Sequence, residues 1–174
     1  ELEQTKNTQP AIFLVSYSIF NVIKNETNFN LDKAKFYAGH SLGEYSALCC
    51  AGSLTFAQTT KLLKYRGSAM QNAVPSGEGG MIAILGVGIN EINEILEINR
   101  NNFTCYIAND NSVGQIVVSG KIKSIELFCS ELKKKNYKFV KLPVSSPFHC
   151  PLMNNATNEM RQKIKDTDLS LIHI

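Results

Sequence analysis

Residues 34–51 read AKFYAGHSLGEYSALCCA and contain the most informative turn of the chain. A short apolar run at 34–38 predicts a strand, and it leads into a Gly-x-Ser-x-Gly turn made by Gly39, Ser41 and Gly43. A helical pattern follows the turn. On such a strand-to-helix turn the serine is held in a strained conformation with its hydroxyl exposed, and small flanking residues let the strand and helix pass closely. The pattern predicts an α/β protein with a nucleophile elbow at Ser41.

The same turn points backbone N–H groups towards the place where negative charge would develop on a substrate oxygen. The N–H of Leu42, the residue after the serine, is the predicted oxyanion donor. The strand-turn-helix context favours a nucleophile, and the alternative is a plain turn bracketed by two glycines, because five-residue matches also occur by chance. The short motif by itself therefore leaves both interpretations open.

Helices are predicted on both sides of the elbow. Thr8 is a candidate cap with Pro10 in the first helical turn, and residues 11–23 are apolar on most faces, which predicts a buried helix. Residues 55–74 form a further helical pattern. The Pro- and Gly-rich segment 75–80 is the clearest boundary in the chain.

Beyond that boundary the pattern changes to β-α-β-β-α-β, the ferredoxin-like arrangement. We expect this part to be a compact unit inserted into a larger α/β domain. The predicted domains are a large α/β subdomain at 1–78 and 145–174 and a small ferredoxin-like subdomain at 79–144. The predicted strands of the small subdomain are 81–87, 104–108, 115–119 and 137–144, and its predicted helices lie around Ile92 and over 125–132.

Composition excludes several classes of function. The net charge of +3 has no clustered basic stripe and the chain has no tryptophan, so nucleic acid is not an expected partner. No apolar run is long enough for a membrane span. The five cysteines are odd in number and form no C-x-x-C pair, which predicts buried thiols in a reducing compartment and no metal site. We expect an intracellular protein of the cytoplasm or a plastid-type organelle, with any targeting segment outside this chain.

The longer string at 39–48, GHSLGEYSAL, resembles the active-site signature of acyltransferases that load carrier proteins in fatty-acid and polyketide synthesis. Further segments resemble the same family in the same order, so that the resemblance covers essentially the whole chain. It implies an α/β-hydrolase-like large subdomain around the ferredoxin-like one, and a family domain that is longer than this chain at both ends. The further segments that carry the resemblance are 8–11, 65–71, 109–120 and 143–150.

The resemblance implies a role for several residues. Ser41 is the nucleophile and His149, in a loop between two prolines, is the general base, although a lone loop histidine more often has a packing role. Arg66 clamps the free carboxylate of a malonyl group; keeping arginine in a chain otherwise rich in lysine agrees with a need for bidentate geometry. The acyl pocket and its cleft are expected to involve Met70, Phe148, His40 and Asn111.

The bulky side chain of Phe148 resembles the residue that malonyl-selective acyltransferase domains carry at this position.

Other assignments have alternatives. Asn109, Asn111 and Gln115 shape the cleft in the family, but turn stabilisation explains them as well. The lysines at 133–135 suit the docking of a carrier protein and also suit a solvated helix C-terminus.

The implied reaction transfers malonyl from malonyl-CoA to the phosphopantetheine thiol of acyl carrier protein through a malonyl-serine, with no bound cofactor and no metal. We expect a monomer whose partners are malonyl-CoA and acyl carrier protein. One rival is an α/β-hydrolase such as an esterase or thioesterase, but no HGGG-type loop is visible and Arg66 would have no purpose there. A non-catalytic docking domain is the other rival, and the joint presence of Ser41, His149 and Arg66 argues against it.

Overall fold

The computed structural model describes residues 1–144 and 146–170. It shows a mixed α/β protein with two compact units, Glu1–Ala69 together with the segment that starts at Asn158, and Met70–Thr157. The predicted division into 1–78 with 145–174 and 79–144 stays a prediction, and Ser145 and residues 171–174 lie outside the described residues.

Six helices and four strands are assigned within the described residues, and no helix there is long and apolar enough to cross a membrane. Short 3-10 helices occur at Leu31–Lys33 and Pro151–Met153. In chain order the elements are α1 (Thr5–Glu26), α2 (Gly43–Cys50), α3 (Phe56–Asn72), β1 (Gly79–Leu85), α4 (Ile89–Ile98), β2 (Cys105–Ser112), β3 (Gln115–Lys121), α5 (Ile122–Lys134), β4 (Lys138–Lys141) and α6 (Asn154–Lys165).

Helix α1 begins earlier than the sequence predicts. Its N-cap is Gln4, and Thr8 lies in the second helical turn. The Thr8 hydroxyl donates to the carbonyls of Leu2 and, at 3.1 Å, Gln4, so it bonds backwards to main-chain acceptors and does not cap the helix. Pro10 accordingly stands inside the helix, and the predicted cap was wrong.

The predicted burial of α1 was also wrong. Only Thr5, Gln9 and Phe13 are buried, at four-residue spacing along one face. Among the described residues, α2 and α3 cover the helix around Phe13, which packs with Cys49 and Leu63. A helix buries only the faces on which neighbouring elements pack, and the apolar residues outside that contact are exposed. These are Ile12, Leu14, Val15, Ile19 and Val22.

The strand predicted at 34–38 is absent, since residues 34–39 are irregular and exposed. Phe36 is 88% exposed. A strand is stable only when a neighbour completes its hydrogen-bond ladder, and the described residues provide no such neighbour here. The helices predicted on the other side of the elbow are confirmed as α2 and α3.

The second unit contains a four-stranded antiparallel sheet with the spatial order β2-β3-β1-β4. The elements follow one another as β1, α4, β2, β3, α5 and β4, the order that the sequence predicts. β1 is central and pairs with β3 from Gly79 opposite Lys121 to Leu85 opposite Gln115.

The two faces of this sheet pack against different residues, because successive side chains along a strand point to opposite faces. On one face, Ile82 and Ile84 of β1 pack with the apolar faces of α4 and α5, including Phe128 and Leu132. On the other face, Met81 and Ala83 pack with Val117. The first face is therefore the core of the unit.

The edge strands of the sheet are irregular or short. β4 has only four residues and begins and ends with lysine. β2 pairs with β3 through two register shifts, between Ile107 and Asn109 and between Asp110 and Ser112. Both edges thus depart from a long, flat strand.

Candidate active site

The backbone at Ser41 has the left-handed conformation, with φ of 53°. Only glycine adopts this region readily, so a serine here is strained by about 1 kcal/mol or more. Helix α2 begins two residues later, and the N–H of Gly43 donates to the His40 carbonyl at 2.9 Å. The strained conformation that the motif predicts at Ser41 is confirmed.

The two glycines of the motif have different functions in the turn. A Cβ atom added at Gly39 would lie 1.9 Å from the carbonyl oxygen of Gly43 and 2.4 Å from the nitrogen of Glu44. A Cβ atom added at Gly43 would meet nothing within 4 Å. The close approach of backbone to helix therefore requires glycine at position 39 only.

The N–H of Leu42 is available at the start of α2. Within residues 1–144 and 146–170 it makes no hydrogen bond, whereas the next three N–H groups, of residues 43–45, donate to the carbonyls three residues back. A free N–H beside a helix N-terminus suits a developing oxyanion. The geometry agrees with the role predicted for Leu42.

Arg66, on α3, lies against the serine. Its Nη2 is 3.2 Å from Ser41 Oγ, and its Nη1 donates to Gln9 Oε1 at 2.6 Å. Within the described part of the chain Arg66 forms no ion pair, unlike Arg100, which pairs with Glu97, and Lys134, which pairs with Glu131. The site therefore holds a cation that has no carboxylate at ion-pair distance among the described residues, although the more distant Glu44 carboxylate acts on its charge.

Burial has opposite effects on the two ionisable groups beside the serine. Loss of hydration lowers the pKa of Arg66, and it raises the pKa of Tyr45, which the Arg66 charge partly offsets. The Arg66 guanidinium lies over the Tyr45 ring, 5.8 Å from its centroid. Arginine keeps its charge in proteins, so the site next to Ser41 attracts an anion.

Sequence reasoning missed Gln9, although it lies in one of the segments that carry the family resemblance. Gln9 is buried and contacts Arg66 directly. Gln9 ends a polar stretch at 4–9, directly before the apolar run 11–23, so the local pattern does not distinguish it from its polar neighbours.

Apart from His40, the remaining predicted residues belong to the second unit. His149 is exposed and has a left-handed backbone, with φ of 57°. It follows buried Pro147, whose ring occupies the space beside Gly79, where an added Cβ would lie 2.1 Å from Pro147 Cδ. The thiol of Cys150 donates to the Pro147 carbonyl at 3.0 Å. The histidine is thus presented on a tight turn held to the start of β1.

Phe148 and Met70 are packed, and the polar residues are more open. Phe148 lies against the cluster of Met81, Ala83 and Val117, and Met70 is buried near the end of α3. His40, beside the serine in the first unit, is exposed. In the second unit, Asn111 and Gln115 are exposed and Asn109 is half-buried.

The structure therefore brings Ser41, Leu42 and Arg66 together in one unit and adds Gln9 to them. His149, Phe148 and Asn111 are in the other unit. Within the described residues no group of three acidic, histidine or cysteine side chains is arranged to hold a metal ion.

The acyl transferase domain family matches residues 1–174. The chain belongs to this family.

Within the acyl transferase domain family, the relatives of this chain have consistent names. The chain is 40% identical over 180 residues to the malonyl CoA-acyl carrier protein transacylase of Bacillus subtilis strain 168, covering 99% of this chain and 55% of that protein. It is 38% identical over 161 residues to the protein of the same name from Salmonella typhimurium, covering 92% and 51%. The chain thus spans about half the length of these relatives.

Solved structures of acyl transferase domains have the same fold. The acyl-carrier-protein-S-malonyltransferase of Bartonella henselae is 44% identical with a TM-score of 0.90, covering 97% of this chain and 54% of that one. The structure of a type II PKS acyl-carrier protein with its malonyl-transacylase matches at 34% identity and a TM-score of 0.90, covering 98% and 54%.

The elbow of this acyl transferase domain provides a matched pair of variants. We expect Gly39→Ala to be destabilised by about 3 kcal/mol or more, because the methyl group meets backbone atoms that have no space to move. Gly43→Ala should change stability by less than about 1 kcal/mol, since the added methyl meets nothing. Urea unfolding measures both, and equal losses in the two variants would contradict this account of the turn.

The cysteines give a pH-dependent prediction. Burial raises the pKa of Cys50 to about 11 and that of Cys105 to about 12, so both stay protonated at neutral pH in the folded protein. Iodoacetamide reacts with the thiolate, and a free thiol in urea titrates near 8.5, so at pH 8 the native protein should have about 200-fold less thiolate at Cys50 and about 2,000-fold less at Cys105, with alkylation slowed accordingly. The native rate at Cys50 should rise about tenfold per pH unit up to about pH 11. Peptide mapping reads each site, and equal rates in native and unfolded protein would contradict the prediction.

Proposed function

We propose that this chain carries the acyl-transfer site of a malonyl-CoA:acyl carrier protein S-malonyltransferase. The observation that carries the proposal is the half-buried guanidinium of Arg66, which lies 3.2 Å from the Ser41 hydroxyl and forms no ion pair among the described residues. A malonyl group differs from an acetyl group by one free carboxylate, the group that arginine binds best. The names of the bacterial relatives support the same activity.

In the proposed first half-reaction, Ser41 Oγ attacks the thioester carbonyl of malonyl-CoA and His149 accepts the hydroxyl proton. The Leu42 N–H donates to the oxyanion of the tetrahedral intermediate. The carbon–sulfur bond then breaks, and His149 returns the proton to the leaving sulfur of coenzyme A. The product is a malonyl ester on Ser41.

In the proposed second half-reaction, a phosphopantetheine thiol attacks this ester. His149 accepts the thiol proton, the new carbon–sulfur bond forms, and the carbon–oxygen bond to Ser41 breaks as His149 protonates the serine oxygen. One base serves both halves because the first product leaves before the second substrate enters, which gives ping-pong kinetics. No proton or electron is left over, so no cofactor or metal enters the scheme.

Selectivity for malonyl is assigned to Arg66, through two parallel bonds to the free carboxylate. Met70 and the bulky Phe148 line the acyl pocket, and His40 and Asn111 contact the substrate in the cleft. The chain's own geometry supports the Arg66 assignment most directly, because this side chain contacts the reacting oxygen.

The partners of the proposed reaction are malonyl-CoA and a phosphopantetheine-bearing acyl carrier protein. A related malonyl-transacylase has been solved together with a type II PKS acyl-carrier protein, which supports such a partner. We infer a monomer that needs no nucleic acid or membrane. An intracellular reducing compartment is supported by five free cysteines; the relatives named above are bacterial, which gives no support to a plastid.

We also propose that the two subdomains are those of the acyltransferase architecture. The order β1, α4, β2, β3, α5, β4 and the sheet order β2-β3-β1-β4 support a ferredoxin-like small subdomain at 79–144. The remainder, 1–78 with 145–174, is then part of an α/β-hydrolase-like large subdomain.

Replacement of the guanidinium should change acyl selectivity. We expect Arg66→Ala to lower kcat/KM for malonyl-CoA about 10- to 150-fold, the value of one or two charge-assisted hydrogen bonds, and to affect acetyl-CoA much less. Arg100→Ala is the matched control, because Arg100 is an exposed arginine of the second unit that forms an ion pair with Glu97. Loss of malonyl and acetyl transfer to the same extent would contradict a carboxylate clamp.

The covalent intermediate is tested by intact mass. After incubation with malonyl-CoA, the full-length protein should gain one malonyl group that maps to Ser41, is absent from Ser41→Ala, and moves to added carrier protein. His149→Ala should form it about 10²- to 10⁴-fold more slowly. An adduct lost to water at one rate with or without carrier protein would instead indicate a hydrolase, and no adduct would contradict the assignment of Ser41.

A further inference from the structure

We propose that Gln9 is the positioning residue that lets Arg66 select an anionic acyl group, because it holds the guanidinium with a neutral amide rather than a carboxylate. This inference rests on the proposed malonyl transfer and adds a residue to its specificity. Gln9 reaches the substrate only through Arg66.

The contact originates in a close crossing of α1 and α3. A Cβ atom added at Gly67 would lie 2.5 Å from the Cα of Lys6 and 2.7 Å from the carbonyl oxygen of Thr5. Only a glycine on α3 allows the two helix backbones to approach this closely. The neighbouring residue, Arg66, is thereby brought within hydrogen-bond distance of Gln9, one turn along α1 from Thr5.

A short hydrogen-bond chain sets the orientation of the amide. Gln9 Nε2 donates to Thr5 Oγ1 at 2.9 Å, and Gln9 Oε1 accepts from Arg66 Nη1 at 2.6 Å. The opposite orientation would set the amide N–H groups against the guanidinium N–H groups, donor against donor. Since Gln9 is only 3% exposed, water cannot easily replace either bond. The oxygen of Gln9 is therefore directed at Arg66.

This arrangement leaves the charge of Arg66 intact. One end of the guanidinium is held by Gln9, and the other end faces the Ser41 hydroxyl. A glutamate at position 9 would fit the same space but would form a buried ion pair with Arg66. A substrate carboxylate would then meet a neutralised cation and a second negative charge nearby. A neutral acceptor such as an amide holds the guanidinium in position and does not compete with the substrate carboxylate for its charge.

The test compares initial rates of Ser41 acylation by malonyl-CoA and acetyl-CoA in the full-length protein. We expect Gln9→Glu to lower the malonyl-to-acetyl ratio of kcat/KM about tenfold or more, through the malonyl rate, with the acetyl rate within about threefold of wild type. Gln162→Glu makes the same charge change on the exposed face of α6 and should leave the ratio unchanged.

A second variant separates positioning from folding. Gln9→Met keeps the length of the side chain but cannot accept from Arg66, so it should also lower the ratio while thermal unfolding stays cooperative. A role in packing alone would lower both rates equally and leave the ratio as in wild type, which would overturn the inference. If wild type loads malonyl preferentially and Gln9→Glu keeps that preference, Gln9 is not the determinant. If wild type loads neither acyl group, the proposed function itself fails.

Discussion

One guanidinium connects three helical segments of the first unit around Ser41. Arg66 belongs to α3, bonds to Gln9 of α1, and faces the serine of the turn before α2. A half-buried cation is unfavourable unless its donors find acceptors, and here the acceptors are an amide and a hydroxyl. Because Arg66 forms no ion pair among the described residues, its charge is available to an anionic ligand. The packing of three helices thus serves a single electrostatic purpose.

The serine turn imposes a second constraint on the same region. Gly39 lies so close to Gly43 that no side chain fits between them, and this contact bends the chain sharply enough to give Ser41 its left-handed backbone. His149 in the second unit has a left-handed backbone as well. Strain of this kind persists only where surrounding contacts enforce it, and it concentrates at functional sites.

Sequence reasoning reached the elements with strong local patterns and failed where structure depends on distant partners. The helices α2 and α3, the β-α-β-β-α-β order and the strain at Ser41 follow from periodicity and glycine spacing, which are local properties. The strand at 34–38 and the burial of 11–23 were wrong because both require neighbours that the described residues do not supply. The contact between Gln9 and Arg66 was missed for a related reason. It depends on how closely two helices cross, and the glycine responsible, Gly67, lies 58 positions away from Gln9.

The edges of the small sheet affect how readily the protein aggregates at high protein concentration. An exposed strand edge is a template on which another chain can add a strand and start an aggregate. β4 is too short to hold an incoming strand, and Lys138 and Lys141 would bring charge to the new contact. On the opposite edge the two register shifts of β2 interrupt the row of hydrogen-bonding groups. The sheet is therefore protected at both sides against joining with its neighbours, whether during synthesis or at high concentration.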